Sequence, residues 1–174
     1  QPLHALVNNA GMSPKSEYKE RLGCLNGDLE AWHEVFELNL FAPLKLSRGF
    51  ASALHKGAGA IVNITSIAGH MIHPFAGSAY SISKAAVISM TKSFAQECAQ
   101  FNVRVNALLP GLTKTKFAGA LFTNEDIYDS AIKEIPMRRH ADPQEMAGTV
   151  LYLVSDASSY VTGECVVVDG GMTI

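Results

Sequence analysis

The feature that most constrains this chain is an alternation of short, continuous apolar runs with long helical patterns. Residues 3–7, Ala60–Ile64, 103–109 and Cys165–Val168 are apolar runs, stopped in turn by Asn8-Asn9-Ala10-Gly11, Thr65-Ser66, Pro110-Gly111 and Asp169-Gly170-Gly171. Apolarity that is continuous, and not confined to every second position, suits strands covered on both faces. Between the runs lie helical patterns over 28 to about 56, 79 to about 100 and 143 to about 154. This order predicts right-handed crossovers and a parallel sheet with helices on both sides, the doubly wound α/β class.

One boundary follows from local chemistry. Asp142, Pro143 and Glu145 supply an N-cap, a proline at the first helical position and a capping-box partner, so the third helix starts there. The stretch 114–140 has a poorer pattern and falls between the third strand and that helix. In an open α/β sheet it hangs over the carboxyl ends of the strands, where ligands bind. No repeat, linker or low-complexity tract divides the 174 residues.

Composition removes several classes of function. With 48% apolar and 17% charged residues the chain is that of a globular protein, and a net charge of −2 gives no bulk attraction for nucleic acid or anionic membrane. No apolar run approaches the roughly 18 residues of a spanning helix, and no signal pattern opens the chain. A cytoplasmic protein is expected, with no membrane or nucleic-acid partner. Cys24, Cys98 and Cys165 are widely spaced, form no C-x-x-C pair and read as buried, reduced thiols. Residues 1–7 run straight into a strand without an initiator Met or polar leader, as in a chain entered midway.

The chemistry centres on Tyr80-Ser81-Ile82-Ser83-Lys84. At helical spacing Tyr80 and Lys84 emerge from one face, and an ammonium beside a phenol favours the phenolate. A tyrosine tuned in this way serves as general acid or base. By itself, such a pair is more often a surface contact. Ser66, 14 positions before Tyr80 at the end of the second strand, is placed to hydrogen-bond the same substrate oxygen; its plain alternative is a turn cap. Asn39 lies four residues before Pro43, which has no N–H. The helix should break there, leaving a carbonyl that can hold water near Lys84, or should simply kink.

Other residues carry less. His70 and His73 flank the loop before Tyr80, with no carboxylate or cysteine to complete a metal site. Trp32, Val35, Phe36 and Phe50 read as core, and Arg138-Arg139 as a solvated turn. Ser66 and the histidines would suit a serine hydrolase, but no G-x-S-x-G elbow is present.

Taken together, Asn8-Asn9-Ala10-Gly11, Asn39, Ser66, Tyr80-x-x-x-Lys84 and Pro110-Gly111-Leu112-Thr113-Lys114-Thr115 make the chain resemble the short-chain dehydrogenase/reductase family over essentially its whole length. The resemblance implies a Rossmann-like domain, with residues 1–174 its catalytic portion and about 112–141 a substrate lid. It implies hydride transfer between NAD or NADP and a carbonyl or secondary alcohol of 3-oxoacyl, sugar or simple alcohol type. Tyr80 would be the acid/base, Lys84 would lower its pKa and hold the nicotinamide ribose, Ser66 would orient the substrate oxygen and Asn39 would keep a relay water. Asn8, Ala10, Gly11, Tyr80, Lys84, Pro110, Gly111, Thr113 and Thr115 would bind the cofactor, with no metal. The first two long helices would pair with those of a neighbouring subunit in a homodimer or homotetramer. The apolar lid residues Phe117, Leu121 and Phe122 would favour a partly apolar substrate.

Two departures stand out. The Ser66-to-Tyr80 spacing is one residue longer than the family's usual pattern; residues 69–74 can absorb it, and Thr65 is the substitute if they do not. No glycine-rich phosphate fingerprint precedes the first strand, although the half that carries it would occupy roughly 60 to 80 residues. The alternative reading is therefore a non-catalytic truncated dehydrogenase fragment that acts as an interaction or oligomerisation module.

Overall fold

The computed structural model describes residues 1–15, 21–122 and 125–174. The four apolar runs become β1 (Ala5–Asn8), β2 (Ala60–Ile64), β3 (Arg104–Pro110) and β4 (Cys165–Val168). All pair in parallel, in the order β1-β2-β3-β4. The central strands β2 and β3 are buried almost throughout, as continuous apolarity requires. The outer strands are less covered: Val7 is 40% exposed and Val167 39%.

The helices are α1 (Leu29–Phe36), α2 (Ala42–Gly57), α3 (Ser78–Cys98), α4 (Gly119–Phe122), α5 (Glu125–Lys133) and α6 (Pro143–Val154). They cover both faces of the sheet. On one face Leu54 of α2 and Ala95 of α3 pack against Ile61 and Val105. On the other, Leu153 of α6 packs against Val62 and Leu108. Successive strand residues thus serve opposite cores, which is the doubly wound arrangement.

The single helix expected over 28 to about 56 is two helices joined by a π-helical turn, Glu37–Phe41. Pro43 cannot donate to the carbonyl of Asn39 and its ring crowds that carbonyl, so the chain widens locally; the Ala42 N–H reaches back five residues to Glu37. Helix α6 starts as expected: Asp142 is extended, Pro143 follows, and the Glu145 carboxylate accepts the Asp142 N–H at 2.9 Å. Arg139 forms two 2.7 Å bonds to the same carboxylate, so it is an exposed, paired turn residue. Those contacts hold Glu145 at a pKa of about 2. At the opposite end of α6, Arg104 donates to the Leu153 and Ser155 carbonyls and the Ser158 hydroxyl, placing a cation on the negative end of the helix dipole.

Helix α5 lies within the stretch of poorer pattern, 114–140, and is nine residues long with Glu125 and Asp126 in its first turn and Lys133 in its last. Two expectations fail, at Phe50 and at Cys24. Phe50 is 44% exposed on the outer side of α2, while Val35 is buried and Trp32 stacks on Phe36 at 6.2 Å. Cys24 is exposed, and only Cys98 and Cys165 are partly buried; all three are free thiols. Among the described residues no helix is long and apolar enough to cross a membrane.

Candidate active site

The site forms where β2 hands over to α3. Thr65 is committed to the sheet: its N–H and hydroxyl both donate to the Leu108 carbonyl, at 2.8 and 3.2 Å. Ser66 is extended, and its Oγ accepts the Ala68 N–H at 3.1 Å, capping a one-turn 3-10 helix, Ile67–Gly69. That turn lies directly on α3. A Cβ on Gly69 would stand 2.7 Å from the backbone of Lys84 and Ala85, so only glycine permits the approach. The Ser66 hydroxyl hydrogen-bonds the Tyr80 side chain, whereas the Thr65 hydroxyl is spent on the Leu108 carbonyl. In the loop that follows this turn, His70, Met71 and Ile72 are exposed.

Along α3 the buried side chains Tyr80, Ser83, Lys84, Val87 and Thr91 recur at three- and four-residue intervals and define one face. Tyr80 is 9% exposed and Lys84 5%. Lys84 Nζ donates to the Ile64 carbonyl at 2.8 Å and stands 5.8 Å from the centre of the Tyr80 ring. The expectation that Lys84 lowers the phenol's pKa is not met in this arrangement. Burial raises it, the Ser66 hydroxyl opposes the rise, and the ammonium lies over the ring instead of against the phenol oxygen. Burial also lowers Lys84, to about 8.

Asn39 is brought to the same place by the π-helical turn, and its side chain has a task that the sequence did not reveal. Oδ1 accepts the Met12 N–H at 2.8 Å, while Nδ2 donates to the Met12 carbonyl and to Ser83 Oγ, both at 3.0 Å. Ser83 Oγ in turn donates to the Tyr80 carbonyl at 2.7 Å. Asn39 therefore clasps the loop after β1 to the first turn of α3. Truncation to alanine would leave the half-buried Met12 N–H and carbonyl without their side-chain partners and take a donor from Ser83 Oγ, which keeps its bond to the Tyr80 carbonyl. N39A is expected to lose about 3 kcal/mol in a denaturant titration; a loss well under 1 kcal/mol would show that the clasp contributes little.

The expected cofactor residues divide into groups. Gly11 lies against the centre: a Cβ there would be 3.3 Å from Lys84 Nζ and 3.4 Å from Asn39 Oδ1. Asn8 is part of a polar ladder inside the sheet, donating to Asn63 Oδ1 at 2.8 Å and to Ser47 Oγ at 3.3 Å, while Asn63 donates to Thr91. The Asn8 Oδ1 atom is buried without a partner. Ala10 is exposed beside Gly11. Pro110 ends β3, and the Gly111 N–H bonds the Val168 carbonyl at 2.9 Å. Thr113 pairs in parallel with Ala141, and exposed Thr115 accepts the Ala118 N–H at 3.4 Å. His73 Nδ1 accepts the Phe75 N–H, and among the described residues no acid or thiol joins it in a metal site.

The lid residues separate by contact. Phe117 places its ring 5.5 Å from that of Tyr80. Phe122 instead packs on Tyr128 and His140, which bond each other at 2.7 Å. The side chain of Leu121 falls outside the described residues. Of the expected lid residues Phe117 is the one at the centre, whereas Ser83 and Met12 were not foreseen; Ser83 carried one local signal, a helical serine three residues after Tyr80 that can bond back to its carbonyl.

A parallel doubly wound sheet thus sets half-buried Ser66, just after β2, beside buried Tyr80 and Lys84 of α3. Comparison with known proteins assigns the arrangement to a family. A family model described as enoyl-(acyl carrier protein) reductase matches residues 1–173. FixR of Bradyrhizobium diazoefficiens is 46% identical over 170 residues, covering 98% of this chain and 59% of FixR. A solved 3-oxoacyl-[acyl-carrier protein] reductase with bound NAD from Brucella melitensis superposes with a TM-score of 0.88 at 31% identity, over all of this chain and 63% of that one. A gluconate 5-dehydrogenase from Burkholderia cenocepacia, solved with NADP and tartrate, gives 0.91 at 28% identity, over 99% of this chain and 65% of that one. The chain belongs to the short-chain dehydrogenase/reductase family, and it spans about three-fifths of the length of these relatives.

Proposed function

We propose that the protein carrying this chain is an NAD(P)-dependent oxidoreductase that moves hydride between nicotinamide and a carbonyl or secondary alcohol, with Tyr80 as acid/base. The observation that carries this reading is the buried Tyr80–Lys84 face of α3, set against Ser66 by the Gly69 contact. A phenol kept protonated by burial is suited to donating its proton to a carbonyl oxygen as that oxygen gains charge. Ser66 supplies a second hydrogen bond to the same oxygen. Phe117, against the Tyr80 ring, helps to exclude water from the proton transfer.

The donor set fits the ribose of a nicotinamide cofactor, NAD or NADP. Lys84 spends one donor on Ile64 and an ammonium has three, and the lack of a side chain at Gly11 leaves room beside Nζ. Lys84 would hold ribose hydroxyls there, and the buried Asn8 Oδ1 leaves an acceptor unused at the end of β1. When bound, the nicotinamide supplies the hydride. Gly11, Ala10, Pro110, Gly111, Thr113 and Thr115 complete the binding surface in this reading, and Asn39 holds the relay water.

Residues 112–141 act as the substrate lid of one catalytic domain, and the protein works in the cytoplasm as a homodimer or homotetramer. Supporting the assembly, Leu46 and Phe50 form an exposed apolar pair one turn apart on α2. The substrate is of 3-oxoacyl, sugar or simple alcohol type, the first two matching the names of structural neighbours. Nicotinamide absorbance, followed with a 3-oxoacyl thioester, a ketose and a simple ketone, tests the reading. Consumption of NADH or NADPH with at least one of them is expected; none with any would contradict it.

A further inference from the structure

Three basic side chains outside the Ser66–Tyr80–Lys84 constellation converge on the segment that leads into Tyr80. Lys15 Nζ donates to the Phe75 carbonyl, and Arg21 Nε donates to the Ala76 carbonyl at 2.6 Å, with a second contact from its guanidinium to Ser78 Oγ at 3.4 Å. His73 belongs to that segment, and its Nδ1 accepts the Phe75 N–H at 3.3 Å. The neutral ring therefore carries its proton on Nε2, as a donor. The two loops are tied together where the Ser78 N–H meets the Leu22 carbonyl at 2.9 Å. Tyr80 lines a small cleft under them, together with Ser13, Pro14, Leu22, Asp28 and Gly77.

These groups burden one another. Partial burial lowers the pKa of Lys15, and the Arg21 charge lowers it further; burial and then the Lys15 charge lower that of His73. Among the described residues the ion pairs lie elsewhere, at Lys45–Glu37 and Arg139–Glu145, and the one carboxylate on the cleft is Asp28. Glu17 and Glu20 lie outside the described residues. Lysine has three donors and arginine five, and among the described residues the bonds to Phe75, Ala76 and Ser78 use only some of them. Lys15 and Arg21 adjoin the lining residues Pro14 and Leu22 in the chain, and two like charges held together in this way attract an anion whose binding offsets their repulsion.

We propose that Lys15, Arg21 and His73 form a basic rim beside Tyr80 that binds an oxyanion, carboxylate or phosphate, carried by the substrate. This deepens the oxidoreductase reading and rests on it: the substrate is an oxo or hydroxy compound whose anionic group sits on the rim while its reacting oxygen faces Tyr80 and Ser66.

Two pairs of probes differ in charge on the same carbon skeleton, tartrate against threitol and glycerol phosphate against glycerol. Their binding is measured by calorimetry on the protein carrying this chain, as wild type, K15Q, R21Q and K15R. At least one anion should bind about tenfold or more tightly than its neutral partner, and K15Q and R21Q should each erode that advantage about tenfold. K15R, which keeps the charge, should restore most of it. The pair that shows the advantage identifies carboxylate or phosphate as the group read. Equal binding of charged and neutral probes, an advantage that survives both glutamine variants, or K15R failing as badly as K15Q would overturn the rim. Anion preference without nicotinamide turnover would uphold the rim and refute the oxidoreductase reading; turnover without charge preference would do the reverse.

Discussion

Replacement of Tyr80 by phenylalanine is expected to lower kcat by about 10²–10⁴-fold, the range typical of a lost general acid or base. The fold should survive. Tyr80 is packed through its ring, against Phe117 and beneath Lys84, and phenylalanine keeps that ring. Its hydroxyl is the only part of the side chain that can carry a proton to a substrate oxygen. Nicotinamide affinity should stay within a few-fold, because the loss falls on the chemical step. Steady-state kinetics with a fluorescence titration of the cofactor separate the two. A Y80F enzyme with near-normal kcat would remove Tyr80 from the mechanism.

Replacement of Lys84 by methionine should have an effect of similar size but different character. Both kcat and cofactor affinity should fall, since one ammonium faces the ribose side and the phenol. Stability should change little, because the lost bond to the Ile64 carbonyl is set against relief of a buried charge. Lys84 is held at about 8, well below 10.5, because burial penalises its charge, and methionine of similar length carries no such penalty. The sign of the pH dependence follows. A folded-state pKa below the unfolded value means that the unfolded chain binds more protons between about pH 8 and 10.5, so this group makes stability rise with pH across that window. In K84M that rise should be absent from denaturant titrations. For carbonyl reduction Tyr80 must hold its proton and Lys84 its charge, and both are lost as pH rises. The lower of the two, Lys84 near 8, should set the alkaline limb of kcat/KM. A limb unchanged in K84M would separate Lys84 from catalysis.

Much of this site is visible in the residue order because its elements are local. Tyr80 and Lys84 lie one helical turn apart, Ser66 follows an apolar run, and Asp142-Pro143-Glu145 spells out a helix start. The π-helical turn also has a local cause, the missing N–H of Pro43. What could not be read depends on contacts between distant segments. The Asn39 clasp on Met12 and Ser83 joins three elements separated by 27 and 44 residues. Ser66 is told from Thr65 by a distant partner, the Leu108 carbonyl, which takes the Thr65 hydroxyl and leaves the Ser66 hydroxyl to meet Tyr80. The direction of the Tyr80 shift was misjudged for a related reason: proximity along a helix puts Lys84 near the ring, while burial of the whole face decides which protonation state is favoured. Phe50 reads as core by its chemistry, yet the outer side of α2 carries it to the surface.

The central claim is that this chain positions a proton donor for hydride transfer to a carbonyl. Nicotinamide cofactor carrying deuterium at both C4 positions of its reduced ring, given to the protein with a 3-oxoacyl thioester, a ketose or a simple ketone, tests it most directly. The account predicts one deuterium on the new carbinol carbon by mass spectrometry, while the hydroxyl proton comes from water through Tyr80. Product that carries no deuterium on that carbon, or deuterium lost to solvent, would contradict it.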